Sequence, residues 1–315
     1  MDTNLTTQIV FAENDLCHIE MLNHRRIVDV NSIDSKQYKE GQRQGWDSVA
    51  DSWQKWWKIT ETAAEKVSRR LIELTEIMRG STVLDIATGI GEPAITAANK
   101  VGSTGHVLAI DISSKMLSIA RQRAISLGLE QVIEFKEGDA ETVDLPSSTF
   151  DTALCRFGLM FLPDLRAGLS NIYRSLVDGG RLAAAVWASP DKVPFIAVAL
   201  NTVMKETKSP PSAPGTPGAF SLSDENMLRN SFIKSGFKDV TIERMDVTFE
   251  FDSAEVYMNF VYETAAPIQA MLANQPQENR EEILKAITQA ARKYTKNGTH
   301  AVSLSNEAIC VVGTK

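Results

Sequence analysis

Short apolar runs alternate with segments of helical spacing between residues 81 and 187 of this 315-residue chain. Each apolar run has the length of a buried strand, and the segment after it repeats apolar residues every three or four positions, as on one helix face. Such repeated units predict an α/β fold with a doubly wound, mostly parallel sheet. The predicted strands are 81–87, 106–112, 133–137, 150–157 and 181–187, the last preceded by a turn at 178–180, and the predicted helices are 92–101, 113–127 and 164–176.

The pattern changes after residue 189. Residues 190–222 combine a helix at 193–204 with a loop rich in proline and glycine. The remaining predicted elements are a helix at 223–235 with Ser223 as its N-cap, a strand at 240–251, a helical segment at 253–294 split near Pro267 and Pro276, and a strand at 301–312 interrupted at Asn306-Glu307. The last two strands complete a seven-stranded, Rossmann-like sheet that carries helical insertions.

The chain before the sheet predicts a different organisation. Residues 41–79 predict two helices, and the first gathers Trp46, Trp53 and Trp56 largely on one face. Aromatic rings so placed indicate packing on the core, a lid over a ligand, or both. The predicted parts of the chain are therefore a mobile arm at 1–40, a helical cap at 41–79, a ligand-binding core at 80–189, and two strands with helical lid insertions at 190–315.

Acidic residues and glycines stand where the predicted strands end, at the edge where sheets of this kind bind ligands. Asp85 is followed by Gly89, Gly91 and a helix start, and Asp111 and Asp139 lie at the ends of the next two strands. A glycine turn at a helix N-terminus favours anions, and this one fits the dinucleotide pattern G-x-G-x-x-A. An NAD-linked oxidoreductase is therefore one interpretation.

The carboxylates favour another ligand. Asp85 precedes the glycines and Glu92 stands at the helix start, where both would repel a pyrophosphate. Three carboxylates at neighbouring strand ends suit a cationic or neutral ligand with an amino-acid head, ribose hydroxyls and an adenine amine. S-adenosylmethionine is such a ligand, and an acidic, aromatic pocket tolerates its sulfonium through charge and cation–π contacts.

Residues 81–188 resemble the core of class I S-adenosylmethionine-dependent methyltransferases, and the chain is most similar to the UbiE/COQ5-like, methyltransferase type 11 group. Four motifs carry the resemblance: D-I-A-T-G-I-G from Asp85, the acids at the next two strand ends, R-F-G-L-M-F from Arg156, and W-x-x-x-A-x-x-W from Trp46. The family's first motif often has glycine where Ala87 stands, and alanine is nearly as small.

The resemblance implies a role for each motif residue. The first motif would surround the methionine part of the cofactor, the acid of the second strand would bind the ribose hydroxyls, and the third acid would take the adenine amine. The tryptophan helix would cover the cofactor, and the fourth motif would face cofactor and substrate. The implied cofactor-binding residues are Trp46, Asp85, Ala87, Gly89, Gly91, Asp111, Ile112, Met116, Asp139, Ala140 and Arg156.

Methyl transfer is an in-line displacement, so the protein must align a nucleophile about 3 Å from the methyl carbon and exclude water. No His/Asp pair stands out, and the polar candidates for a catalytic group are Arg156, Tyr173 and His300. Phenylalanine and methionine in the insertions predict an adaptable apolar pocket. We therefore expect C- or O-methylation of a hydrophobic small molecule such as a quinol, terpenoid, polyketide or phenolic. A non-catalytic module that only binds the cofactor is the other alternative.

Composition narrows the partners and the compartment. The formal charge of −7 and the lack of a basic run argue against a nucleic-acid partner. No apolar run has membrane-spanning length, and the N-terminus lacks the features of a signal peptide. Cys17, Cys155 and Cys310 are too few and too scattered for a zinc site or a disulfide scaffold. We expect a cytoplasmic monomer or homodimer without a metal.

Overall fold

A computed structural model of the protein describes residues 34–211, 213 and 215–315, so most of the predicted N-terminal arm lies outside the described residues. The described part holds a mixed seven-stranded sheet with helices before, between and after its strands. The helices are α1 Ser35–Leu74, α2 Ala94–Val101, α3 Ser114–Ser126, α4 Leu165–Ser175, α5 Pro194–Thr207, α6 Glu225–Lys234, α7 Ala254–Thr264, α8 Ala266–Ala273 and α9 Gln277–Ala291. The strands are β1 Thr82–Ile86, β2 His106–Asp111, β3 Ile133–Glu137, β4 Phe150–Arg156, β5 Leu176–Trp187, β6 Lys238–Phe251 and β7 Val302–Thr314.

The strand order β3-β2-β1-β4-β5-β7-β6 confirms the predicted doubly wound architecture. The five neighbouring strands β3, β2, β1, β4 and β5 run parallel to one another. Strand β7 is antiparallel to both of its neighbours, β5 and β6. Chain order reverses between the neighbours β1 and β4. In sheets of this kind the crevice outside the carboxyl ends at such a switch point is the ligand site. The topology therefore directs attention to the ends of β1 and β4.

The five parallel strands follow the predicted bounds closely, with one exception at β5. This strand begins at Leu176, and the segment Asp178–Gly180 lies within it, although the sequence predicted a turn there. Leu176 pairs with Phe150, and the register shifts before Thr152 pairs with Arg181. The extra residues are thus absorbed by an irregularity in the ladder, so the turn prediction was wrong.

The helical cap is one long helix, not two. Helix α1 begins after Asp34, whose Oδ1 accepts hydrogen bonds from the backbone N–H groups of Lys36 at 3.0 Å and Gln37 at 3.2 Å. Residues 35–40 therefore belong to the helix, and the predicted arm boundary was wrong. The two predicted helices are continuous because no glycine or proline separates them, and the Thr60 hydroxyl bonds the Trp57 carbonyl within the helix. The helix ends before Thr75, so Met78 lies outside it.

Two details of the C-terminal part also differ from the prediction. The N-cap of α6 is Asp224 and not Ser223, because the Asp224 carboxylate accepts from the N–H groups of Asn226 and Met227. Strand β7 is continuous through Asn306. That side chain is buried, donates to the carbonyls of Val247 and Leu304, and accepts from a backbone N–H of α5. A polar residue was mistaken for an interruption because its partners lie far away in sequence.

The remaining insertions fold as predicted. Helices α7, α8 and α9 are separated near Pro267 and Pro276, where proline suits a helix start. Among the described residues, no helix combines the length and the apolar character needed to cross a membrane.

Candidate cofactor site at the strand ends

Asp85 is fully buried in β1, near the strand's carboxyl end, and the turn that follows folds back over it. Its Oδ2 accepts a hydrogen bond from the Ala94 N–H at 2.9 Å, at the start of α2. Its other oxygen, Oδ1, and the Thr88 hydroxyl are both buried, and neither has a hydrogen-bond partner among the residues that the structure describes. The strand end thus presents polar atoms that the fold leaves unsatisfied, which is rare for buried groups.

Burial of the Asp85 carboxyl changes the pH at which it ionises. Burial raises the pKa of Asp85 to about 7, and the nearby Thr88 hydroxyl, the Arg156 charge and the Ala94 N–H only partly oppose that rise. The Thr88 hydroxyl lies near the carboxylate without the geometry of a hydrogen bond. A ligand that brought an ammonium group to Oδ1 would satisfy the orphan acceptor and favour the charged form. The residues present therefore fit the amino-acid head of the implied cofactor.

Asp111 ties the end of β2 to the same turn. Its Oδ2 accepts from the Gly89 N–H at 2.8 Å and its Oδ1 from the Ser113 N–H at 2.9 Å. Burial raises the pKa of Asp111 to about 6, although these N–H groups lower it. Asp85 and Asp111 thus lie on two sides of one turn, in which Gly89 and Gly91 have φ angles of +56° and +107°. The structure brings these four predicted residues together.

Ala87 occupies a conformation that favours glycine. Its φ angle is +57°, in the left-handed region where a Cβ atom costs about 1–2 kcal/mol. The methyl group is accommodated by Gly158, because a Cβ added to Gly158 would lie 2.5 Å from the Ala87 Cβ and 2.8 Å from the Cys155 Sγ. Alanine therefore fits at position 87, where the family often has glycine, because residue 158 in the loop after β4 is itself a glycine.

Asp139 follows β3 as predicted, and an internal cation occupies it. The Lys39 ammonium of α1 lies 2.7 Å from the Asp139 Oδ2 and also contacts the Glu141 carboxylate. The N–H of Glu141 and the hydroxyl of Thr142 donate to Asp139 as well. Ala140 is buried beside it, and its carbonyl accepts from the Asn171 amide. Lys39 could not be recognised from the sequence, because its partner lies a hundred residues away.

The predicted adenine neighbours lie between β2 and α1. Ile112 directly follows Asp111 and is half-buried. Met116 is buried in a small apolar cluster with Val49, Ala50 and Ile119, against which Trp46 packs. This cluster joins α1 to α3. It is separate from the main core, so Met116 packs against the helical cap.

Arg156 ends β4 and pairs with a carboxylate of the helical cap. Its guanidinium donates to both Glu61 oxygens at 3.2–3.3 Å and to the Ser68 hydroxyl at 2.8 Å. Beside this pair, Arg123 lies 3.6 Å from Glu92. Burial and the neighbouring Glu61 raise the pKa of Glu92, and Arg156 and Arg123 act in the opposite direction. Glu61 and Arg123 were missed in the sequence because charges on helices usually face solvent.

The other two catalytic candidates lie away from this site. Tyr173, on α4, packs edge-on against Phe237 at 5.2 Å and beneath the Lys315 ammonium. Helix α4 returns the chain to the amino end of β5, which places Tyr173 at the opposite edge of the sheet. His300 is exposed in the turn before β7. Because Ala308 pairs with the last residue of β5, His300 lies well beyond the strand ends. The structure therefore does not bring either side chain to the strand-end acids, and their catalytic roles stay predictions.

Aromatic rings line the end of β4. Phe157 has a φ angle of +61°, and its half-buried ring stacks on Trp187 with centroids 4.0 Å apart. Trp46 meets Phe161 edge-on at 5.5 Å. By contrast Phe195, which the sequence assigned to the lid, stacks on Phe249 at 3.7 Å and packs against the main core. Phe157 and Phe161 therefore place aromatic rings directly after β4, the strand that pairs with β1.

Comparisons with known proteins agree with this geometry. A model of the ubiE/COQ5 methyltransferase family matches residues 36–207, which is more than half of the chain. The ubiquinone/menaquinone biosynthesis C-methyltransferase UbiE of Enterobacter sp. (strain 638) is 34% identical over 122 residues, and that of Pseudomonas syringae pv. tomato is 37% identical over 122 residues. Each match covers 39% of this chain, and it spans 49% of the Enterobacter protein and 48% of the Pseudomonas protein, about half the length of these relatives.

Solved structures support the fold. The YcgJ protein from Bacillus subtilis is 19% identical with a TM-score of 0.53, covering 80% of this chain and 98% of that one. A methyltransferase-like protein from Bacillus halodurans is 22% identical with a TM-score of 0.52, covering 79% and 98%. At this level of identity the likeness concerns the fold alone.

The contact between Ala87 and Gly158 is open to a double-mutant test. We expect Gly158→Ala to lower the free energy of unfolding by about 1–3 kcal/mol, because its methyl group would overpack the site. Ala87→Gly should restore part of that loss in the double variant, since it removes one of the two clashing atoms. Urea denaturation measures all three variants. Gly218→Ala, where a Cβ meets open space, is the control, and strictly additive effects at 87 and 158 would contradict the contact.

Proposed function

The chain belongs to the ubiE/COQ5 methyltransferase family, and from that premise we propose that it transfers a methyl group from S-adenosylmethionine to a hydrophobic small molecule. The observation that carries the proposal is the buried Oδ1 of Asp85 at the switch point of the sheet, which has no hydrogen-bond partner in the described part of the chain. It supports a cationic ligand over a dinucleotide, because a pyrophosphate would be repelled there. The NAD-linked alternative has no such observation in its favour.

The strand-end residues would hold the cofactor in sequence along its length. Asp85 would accept from the ammonium group, and the glycine turn would allow a close approach of the backbone. Asp111 would accept from the ribose hydroxyls in place of the Gly89 N–H that it now binds. Asp139 and Ala140 would meet the adenine. When bound, the cofactor supplies an electrophilic methyl carbon beside its sulfonium.

The chain's own residues would orient the acceptor and exclude water. The aromatic faces of Phe157 and Phe161 suit a planar apolar acceptor and tolerate the neighbouring positive charge. Arg156 is held by Glu61 and Ser68, and an arginine does not lose its proton in proteins. Arg156 would therefore act as a positioning residue for the strand end and not as a general base.

Carbon is the acceptor atom that the relatives favour. The matched proteins are C-methyltransferases of ubiquinone and menaquinone biosynthesis. An electron-rich ring carbon or an ionised oxygen needs little help from a base, which fits a site where neither Tyr173 nor His300 lies beside the strand-end acids. We therefore propose C- or O-methylation of a quinol, terpenoid, polyketide or phenolic.

Three further statements belong to the proposal. The C-terminal part from residue 190 would form the substrate lid, and the stacked pair of Phe195 and Phe249 would join it to the main core. The protein would act in the cytoplasm, which fits the buried free thiols of Cys155 and Cys310. It would work as a monomer or homodimer, without a nucleic-acid partner.

Cofactor identity can be tested by thermal shift and calorimetry. We expect S-adenosylhomocysteine to raise the melting temperature and NADH to leave it unchanged. Asp111→Asn should weaken the binding of S-adenosylhomocysteine at least about tenfold, because a charge-assisted hydrogen bond is lost. Asp151→Asn is the matched control, since Asp151 accepts from the Thr82 N–H at the opposite end of the sheet. A shift with NADH alone would refute the assignment.

The class of acceptor can be tested by following the methyl group. Purified protein incubated with methyl-labelled S-adenosylmethionine and a lipid extract should pass label to an organic-soluble product. Parallel incubations with cell protein and with RNA should stay unlabelled. Label found only on protein or RNA would overturn the small-molecule proposal, and cofactor binding without transfer to any of the three would favour a non-catalytic module.

A further inference from the structure

The first turns of α1 lie across the strand ends as a strap, here residues 35–45. Two side chains of the strap reach across the site. Lys39 binds the Asp139 and Glu141 carboxylates after β3, and the Tyr38 hydroxyl lies 3.4 Å from the Pro217 carbonyl in the loop before α6. The strap therefore closes over the end of the site where the proposed function puts the adenine.

The Lys39 contact is a well-formed ion pair. The side chains of Lys39 and Asp139 are 20% and 21% exposed, and that of Glu141 is 4% exposed, so water screens the pair only partly. Burial acts to lower the pKa of Lys39, but its bonds to Asp139 and Glu141 outweigh burial and raise it. Lys39 is therefore a charged ammonium at neutral pH, held on the same carboxylate that would recognise an exocyclic amine.

Residues after the strap are anchored differently. The Asp47 carboxylate accepts from the Ser113 hydroxyl at 2.6 Å and from the Lys115 N–H at 3.2 Å, and Trp46 packs on Phe161 and in the small cluster with Met116. Farther along, Val67 and Leu71 belong to the main core. The anchored part of α1 thus begins where the strap ends.

Two glycines lie within the strap, the second of them at its last residue before the anchor. Gly41 and Gly45 lie inside the helix, where glycine is the weakest helix former after proline. A Cβ on Gly41 would meet open space, so packing does not explain the glycine there. The strap can therefore bend away at these positions while Trp46 and Asp47 stay in place.

We propose that Lys39 is a built-in competitor of the cofactor: its ammonium occupies Asp139, and the strap must release this contact before the adenine amine can bind. The proposal rests on the proposed function, because it takes Asp139 to be the adenine-recognition carboxylate. Lys39 would then set how readily the cofactor enters. The energy spent on breaking the ion pair would be subtracted from cofactor affinity.

Calorimetry with S-adenosylhomocysteine and the full chain tests the competition. We expect Lys39→Met to bind this ligand about three- to tenfold more tightly than the wild type, because the competing ammonium is gone. Lys39→Arg, which keeps the charge, should bind no more tightly than the wild type. Arg69→Met is the control for net charge, since Arg69 lies on the same helix in an exposed pair with Glu65. It should leave the affinity unchanged.

Hydrogen exchange of the strap amides without ligand gives an independent readout. Exchange in residues 35–45 should be faster in Lys39→Met than in the wild type, with the amides of residues 63–72 unaffected. Equal or weaker binding by Lys39→Met, or unchanged strap exchange, would overturn the proposal. If the wild type itself bound no S-adenosylhomocysteine, the proposed function would be wrong. The proposal that Lys39 competes with the cofactor would then be wrong as well.

Discussion

A carboxylate buried at the end of β1 is the constraint on which the site depends. Asp85 has one oxygen satisfied by the start of α2 and one oxygen left without a partner in the described protein. Ionising such a group is costly unless a ligand or a charge compensates it. The surrounding residues are arranged accordingly: Asp111 accepts a hydrogen bond from the turn after β1, and the Arg156 charge acts to lower the pKa of Asp85. In the proposed function, this buried carboxylate is what selects a cationic ligand.

Helix α1 connects the groups at the strand ends. It meets the site after β3 through Lys39, the start of α3 through Asp47, and the end of β4 through Glu61. Its apolar contacts divide in the same way, with one small cluster near Trp46 and the main core beyond Ala63. One helix thus contacts the end of β4 through Glu61 and the segment after β3 through Lys39, which binds both Asp139 and Glu141.

Local sequence patterns predicted the strands of the sheet. They did not predict contacts between residues that lie far apart in the sequence. Buried parallel strands leave continuous apolar runs, so β1 to β4 were found almost to the residue. The unbroken α1 was missed although the spacing of three and four residues continues through the buried Thr60, because that position of the apolar face is polar. The ion pair of Lys39 with Asp139 was missed because partners distant in sequence leave no local trace. His300 was misplaced because the register that sets Ala308 beside β5 is a property of the pairing. The three acids were singled out because each lies at or close to the carboxyl end of a recognisable strand.

Proton release on ligand binding tests the central role of Asp85 most directly. Since the pKa of Asp85 is about 7 in the free protein, about half of these carboxyls carry a proton at pH 7, and an ammonium ligand on Oδ1 should expel it. Calorimetric titration with S-adenosylhomocysteine in two buffers of different ionisation enthalpy counts the protons. The account predicts that the wild type releases about half a proton more than Asp85→Asn at pH 7, and that the difference shrinks by pH 8.5. Equal proton counts for the two proteins at pH 7 would contradict it.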